Sequence, residues 1–123
     1  MRGRQPRESL FAARLLHVAV IGGAKGHRRC LCDETVHLVE APGHAEAMKA
    51  ALTIGHRLEH SYKNARNQTV SWRFAEVVAL SEIRGGVVGK EISSRLFDKV
   101  FPKRVTLRTN FHPEKSDPQW SVV

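Results

Sequence analysis

Cysteine is scarce. The chain carries two, Cys30 and Cys32, one residue apart with no second pair, so a four-ligand cysteine site for structural zinc is excluded. Residues two apart in a strand leave the same face, and a disulfide between them would need distortion. The pair therefore reads as thiols of a reducing compartment. No apolar run approaches the roughly 18 residues of a membrane span, and the basic, then apolar start is broken as a targeting signal by Arg14 and His17. Internal repeats and low-complexity tracts are absent. Ser81, Ser93 and Ser94 lack a G-x-S-x-G setting, the glycines and lysine of 22–26 lack P-loop spacing, and no dinucleotide fingerprint occurs. Acidic residues are in deficit, 12 against 20 Lys+Arg, which leaves a formal charge of +8. That excess suits a polyanionic partner or simply a solvated basic surface.

What is present suits one domain. With 41% hydrophobic residues in 123, such a chain buries roughly two thirds of its unfolded surface and needs no staples. Phe11, Ala13, Leu15, Ala19 and Ile21 alternate with Ala12, Arg14, Leu16, Val18 and Val20, which predicts a strand over 11–21 with two fairly apolar faces. The glycine-rich 22–26 is a turn, and a second strand over 29–40 completes a hairpin. From Pro42 the period becomes 3.6. Gly43 is a tolerable N-cap, Glu46 meets the positive end of the helix dipole, and an apolar arc runs from Ala45 to Tyr62. After a polar turn over 64–68, a strand over 69–83 points Val70, Trp72, Phe74, Val78 and Leu80 one way and Ser71, Arg73, Ala75, Val77 and Ala79 the other. A last strand is expected over 88–97.

The fold class is α+β, in the order strand-strand-helix-strand-strand: a four-stranded, mostly antiparallel sheet with one helix packed on one face. Residues 1–9 form a flexible basic N-terminus, 10–101 a single domain, and 102–123 an irregular C-terminal tail able to dock through Phe111 or Trp120. One helix cannot cover both faces. Leu16, Val18, Val20 and Val77 fall on the other, and either a homodimer packed sheet to sheet or the tail would cover them.

The run "EHSYKNARNQTVSWRFAEVVALSEI", with "VHLVEAPGHAEAMKAA" before it and "EISSRLF" after it, resembles a family of small bacterial proteins known as domain of unknown function 4288. The resemblance covers roughly residues 11–97. Its pattern of a helix rich in Ala and Glu, then a Glu, an aromatic and an Asn before a V-x-W-R-F strand falls on Glu59, Tyr62, Asn64, Val70, Trp72, Arg73 and Phe74. Membership implies no activity, substrate or cofactor.

Three sets of residues invite a functional reading. His56, Glu59 and His60 spell HxxEH, which on one helix could pair two metal ligands with a general base in a zinc hydrolase. A third ligand would have to come from a strand, for example Glu76, Glu82 or Glu91, and His60 falls on the solvent side of the helical wheel. Glu59 lies inside the apolar arc, where a carboxylate needs compensation. Arg73, Arg95 or the Trp72 indole can supply it, so Glu59, Tyr62, Trp72 and Arg73 form a candidate polar pocket or a buried ion pair. Lys25, Arg28 and Arg29, with Lys103 and Arg104, offer a phosphate-binding rim should turn and tail converge, although no helix-turn-helix, zinc finger or RNP-like strand accompanies them. The expectation is a cytoplasmic, non-catalytic, oligomeric interaction or adaptor module. It would need no cofactor or metal and have no membrane role; a homodimer is expected, with a protein partner or nucleic acid as possible ligands.

Overall fold

Period-two and period-3.6 patterning place the main elements where the sequence puts them, in a computed structural model that describes residues 8–22, 28–89, 98–101 and 111–122. Strands β1 (Ser9–Ile21) and β2 (Arg28–Ala41) form the antiparallel hairpin. Helix α1 (His44–Arg57) follows, with Gly43 as N-cap and Glu46 in its first turn. β3 (His60–Lys63) and β4 (Thr69–Ile83) make a second hairpin, β5 (Asp98–Phe101) pairs with the start of β2, and β6 (Gln119–Val122) runs parallel to the end of β4. The sheet order is β3-β4-β1-β2-β5, with β6 also on β4. Every pairing except that of β4 with β6 is antiparallel.

Among the described residues the architecture is α+β with one helix on one face, and the sheet has six strands where four were expected. The helix stops at Arg57 instead of continuing to Tyr62, because the next residues have a better partner. His60 to Lys63 pair with Thr69 to Trp72 around a turn in which the Asn64 side-chain oxygen accepts from the N–H groups of Arg66 and Gln68 at 3.0 and 2.9 Å. Asn67 takes the left-handed conformation there (φ 59°), which Asn tolerates well. The strand expected over 88–97 is not found at its start: Val88 and Gly89 lie in a turn with Val88 fully exposed, residues 90–97 lie outside the described residues, and β5 begins at Asp98. The tail is not wholly irregular either, since its last residues form β6 and Trp120 packs on Phe11 and His44, with ring centroids 5.7 and 4.2 Å away.

Two apolar clusters hold the sheet. On the helix side, Phe11, Ala13, Leu15, Val39, Ala41, Phe74, Val77 and Leu80 pack under Ala47 and Ala51. On the opposite side, Leu16, Val18, Cys30 and Cys32 pack with Phe111, so the tail covers this part of the sheet and Leu16 and Val18 are buried. Val77 changes sides relative to expectation. The pairing of β1 with β4 skips a residue at Ala75 and again at Val78, and each bulge inverts the alternation. Val77 therefore enters the helix-side core, whereas Ala75 and Val78 pack against the tail-side cluster. That side also holds an ion pair absent from the sequence reading, Arg14 Nε to the buried Glu34 carboxylate at 3.2 Å.

Candidate functional site

The helix covers the sheet only as far as its own C-terminus, and the helix-side face continues beyond it. Register fixes what is found there. Asp33 lies opposite His17, Ala19 opposite Trp72, and Trp72 opposite His60, while Thr35 and His37 follow Asp33 at two-residue steps on the same face of β2. With Leu58, the helix C-cap, these side chains line a half-open pocket of about 380 Å³: His17, Asp33, Thr35, His37, Leu58, His60 and Trp72.

The floor of this pocket is rigid. The His17 ring is buried and stacked on Phe74 at 5.3 Å, and its Nε2 donates to the Gly55 carbonyl at 2.8 Å. Gly55 allows that approach, because a Cβ at this position would overlap the Phe74 ring. A carbonyl can only accept, so the proton of a neutral His17 resides on Nε2 and Nδ1 is left as an acceptor. The same logic applies to His60, whose Nδ1 donates to the Leu58 carbonyl at 3.0 Å and leaves Nε2 as acceptor. His37 Nε2 meets the Thr35 hydroxyl at 3.0 Å. Burial, and secondarily the charge of His17, hold the His37 imidazole below its ordinary value of 6.5, so it is neutral at physiological pH.

A second, smaller cavity of about 270 Å³ opens on the other side of the same helix end, lined by His56, Glu59, Arg73, Phe74, Phe111 and Pro113. It occupies a gap in the outer edge of β4, between the stretch paired with β3 and the stretch paired with β6. Side chains stand in for the missing strand: Glu59 Oε2 accepts from the Phe74 N–H at 3.2 Å and the Ser116 hydroxyl accepts from the Val77 N–H at 2.9 Å. Glu59 also meets His56 Nδ1 at 3.1 Å and Arg73 at 3.9 Å.

The residues singled out in the sequence are thus divided. Glu59 and Arg73 come together, with Arg73 supplying part of the expected compensation, but Trp72 faces the larger pocket and Tyr62 is exposed and stacked on His60 at 6.0 Å. HxxEH does not sit on one helix: His56 lies in the last turn of α1 and faces the smaller cavity, whereas His60 opens β3 and faces the larger. Among the described residues no three His, Cys, Asp or Glu side chains are placed to hold a metal ion. Lys25, Lys103 and Arg104 lie outside the described residues, as do residues 91 and 95; Arg28 and Arg29 begin β2. Among the described residues no helix is long and apolar enough to cross a membrane.

The pocket residues that sequence reasoning missed are His17, Asp33, Thr35 and His37. Their signal was a polar row, D-x-T-x-H over 33–37, beside a histidine in register with Phe11, Ala13 and Leu15 on the inward face of β1.

The family model described as Domain of unknown function (DUF4288) matches residues 10–94. Comparison with curated proteins and with solved structures finds no match.

Proposed function

The chain belongs to the family described as Domain of unknown function (DUF4288), a membership that brings no activity with it, and from the site itself we propose that the protein is a non-catalytic binding module whose working surface is the larger pocket. The observation that carries this reading is the pocket's construction. A wall of Trp72 and Leu58 faces a row of Asp33, Thr35 and His37 across a floor fixed by the His17–Gly55 hydrogen bond. Apolar walls with a few converging polar groups are the usual make-up of a ligand site.

The non-catalytic part rests on geometry. Thr35 and His37 are spaced like a nucleophile and its base. The group that would orient the base is misplaced, however: Asp33 lies four residues before His37 on the same strand, about 13 Å along it at a strand's rise per residue. A hydroxyl with a base but no orienting partner beyond it is a hydrogen-bonding pair. The same surface also bears on the adaptor role, since a pocket of this kind takes either a small molecule or one projecting side chain of a protein partner.

A fragment screen followed by amide chemical shifts of the full chain tests this reading. Hits should move the resonances of His17, Thr35, His37, Leu58, His60 and Trp72 together. Hits that cluster elsewhere, or hydrolysis of a fragment at turnover rates, would overturn it.

A further inference from the structure

We infer that the larger pocket takes an organic cation, a small flat or short-chain molecule bearing an amidinium, guanidinium or ammonium group whose N–H donors meet Asp33 and the histidine acceptors. This inference rests on the pocket being the working surface and adds the class of ligand.

Three observations point to it independently. The first is charge. Of the 20 Lys and Arg in the chain, none among the described residues lines this pocket, whereas Asp33 does. Asp33 makes no ion pair among the described residues, in contrast to Glu34 and Glu59, each of which faces an arginine.

The second is hydrogen-bond polarity. Backbone carbonyls have taken up one N–H each from His17 and His60, so in their neutral forms those rings present Nδ1 and Nε2 as acceptors. The Asp33 carboxylate adds its oxygens to these acceptors, beside the Trp72 indole N–H and the Thr35 hydroxyl. An anion would find no Lys or Arg among the described lining residues, and a ligand with several N–H groups can meet the Asp33 carboxylate and the two ring acceptors. The ring of Trp72 beside these acceptors supplies a face for a delocalised cation.

The third is spacing. Acceptors of this type, each histidine held through its other nitrogen by a carbonyl, are also what a metal ion requires. No three of the described His, Cys, Asp or Glu side chains are close enough to share one ion. A molecule can bridge a distance that an ion cannot, and the pocket's 380 Å³ or so leaves room for it.

The test uses three probes of nearly one shape, benzamidinium (cation), benzamide (neutral) and benzoate (anion), each titrated into the full chain and followed by calorimetry and by the Trp72 indole N–H resonance. Benzamidinium is expected to bind about tenfold or more tightly than benzamide, and benzoate more weakly than either. Asp33→Asn should remove about tenfold of the benzamidinium affinity and leave that of benzamide unchanged. Benzamide or benzoate matching benzamidinium while moving the same resonances would overturn the cation assignment and leave the pocket reading standing. No movement of pocket resonances with any probe would overturn both. Tight binding of zinc alone at this site would also contradict the inference, since it would show that the acceptors converge on an ion.

Discussion

Two cavities flank the C-terminal end of α1, built from the same kinds of residue, and they differ in what those residues have left to give. In the smaller one, Glu59 accepts from a backbone N–H of β4, meets His56 and faces Arg73, so its carboxylate is occupied in closing a gap in the sheet edge. In the larger one, Asp33 pairs with no cation among the described residues, and His17 and His60 each retain a ring nitrogen after serving a carbonyl. The comparison teaches that a conspicuous motif can be structural while its quiet neighbours are available. His56 and Glu59 of HxxEH hold a helix end against a sheet edge, and the chemistry open to a ligand lies in a strand row that matches no motif, joined by His17 and His60.

The largest effect should come from Phe74, which lines the smaller cavity and lies under the His17 ring of the larger. Phe74 is buried, stacks on His17, and has the His56 ring edge-on at 5.3 Å. Phe74→Ala should cost about 3–5 kcal/mol in urea unfolding and weaken ligand binding by removing the ring on which His17 stacks, while the Glu59 bond to the backbone N–H of residue 74 is kept. Gly55→Ala should come next. A helix interior ordinarily gains up to about 1 kcal/mol from this change, but here the new methyl overlaps Phe74. Overpacking of this kind typically costs about 1–3 kcal/mol, so a net loss of up to about 2 kcal/mol is expected; a raised midpoint would show that the ring moves aside at no cost.

Glu59→Ala separates the regions instead. It strands the Phe74 N–H, for a loss of about 1–3 kcal/mol, while the larger pocket should bind its probe as before. Glu59→Gln, which keeps an acceptor, should lose less than about 1 kcal/mol. The smallest effect concerns acid. His37 is held below 6.5 in the folded chain, so the unfolded chain binds protons more readily there, and stability falls as the pH drops from about 6.5 toward the lowered folded value. His37→Asn should make the unfolding midpoint less sensitive to pH in that window; an acid dependence that survives unchanged would assign it to other groups.

Much of this was legible beforehand. β4 was expected over 69–83 and is found there, and β1, β2 and the start of α1 follow their periodicities to within two residues. β3 was hidden because "HSY" continues the helical arc of α1 as well as it forms a strand, and only pairing with Thr69 to Trp72 decides between the two. The faces of β4 were partly misassigned because bulges at Ala75 and Val78 leave no compositional mark, so strict alternation placed Val77 outward. Of the site, Trp72 and His60 drew notice from their own motifs. Asp33, Thr35 and His37 did not, since an alternating polar row means little until a partner strand carrying His17 and a helix that stops short turn it into one side of a pocket.

The most direct measurement is a benzamidinium titration of three full-length proteins, the unaltered chain, Asp33→Asn and Glu59→Gln, under one buffer and salt. An available carboxylate in one cavity and an occupied one in the other give about a tenfold loss for Asp33→Asn and none for Glu59→Gln. Equal losses in the two variants, or a loss only in Glu59→Gln, would contradict the distinction between the two cavities.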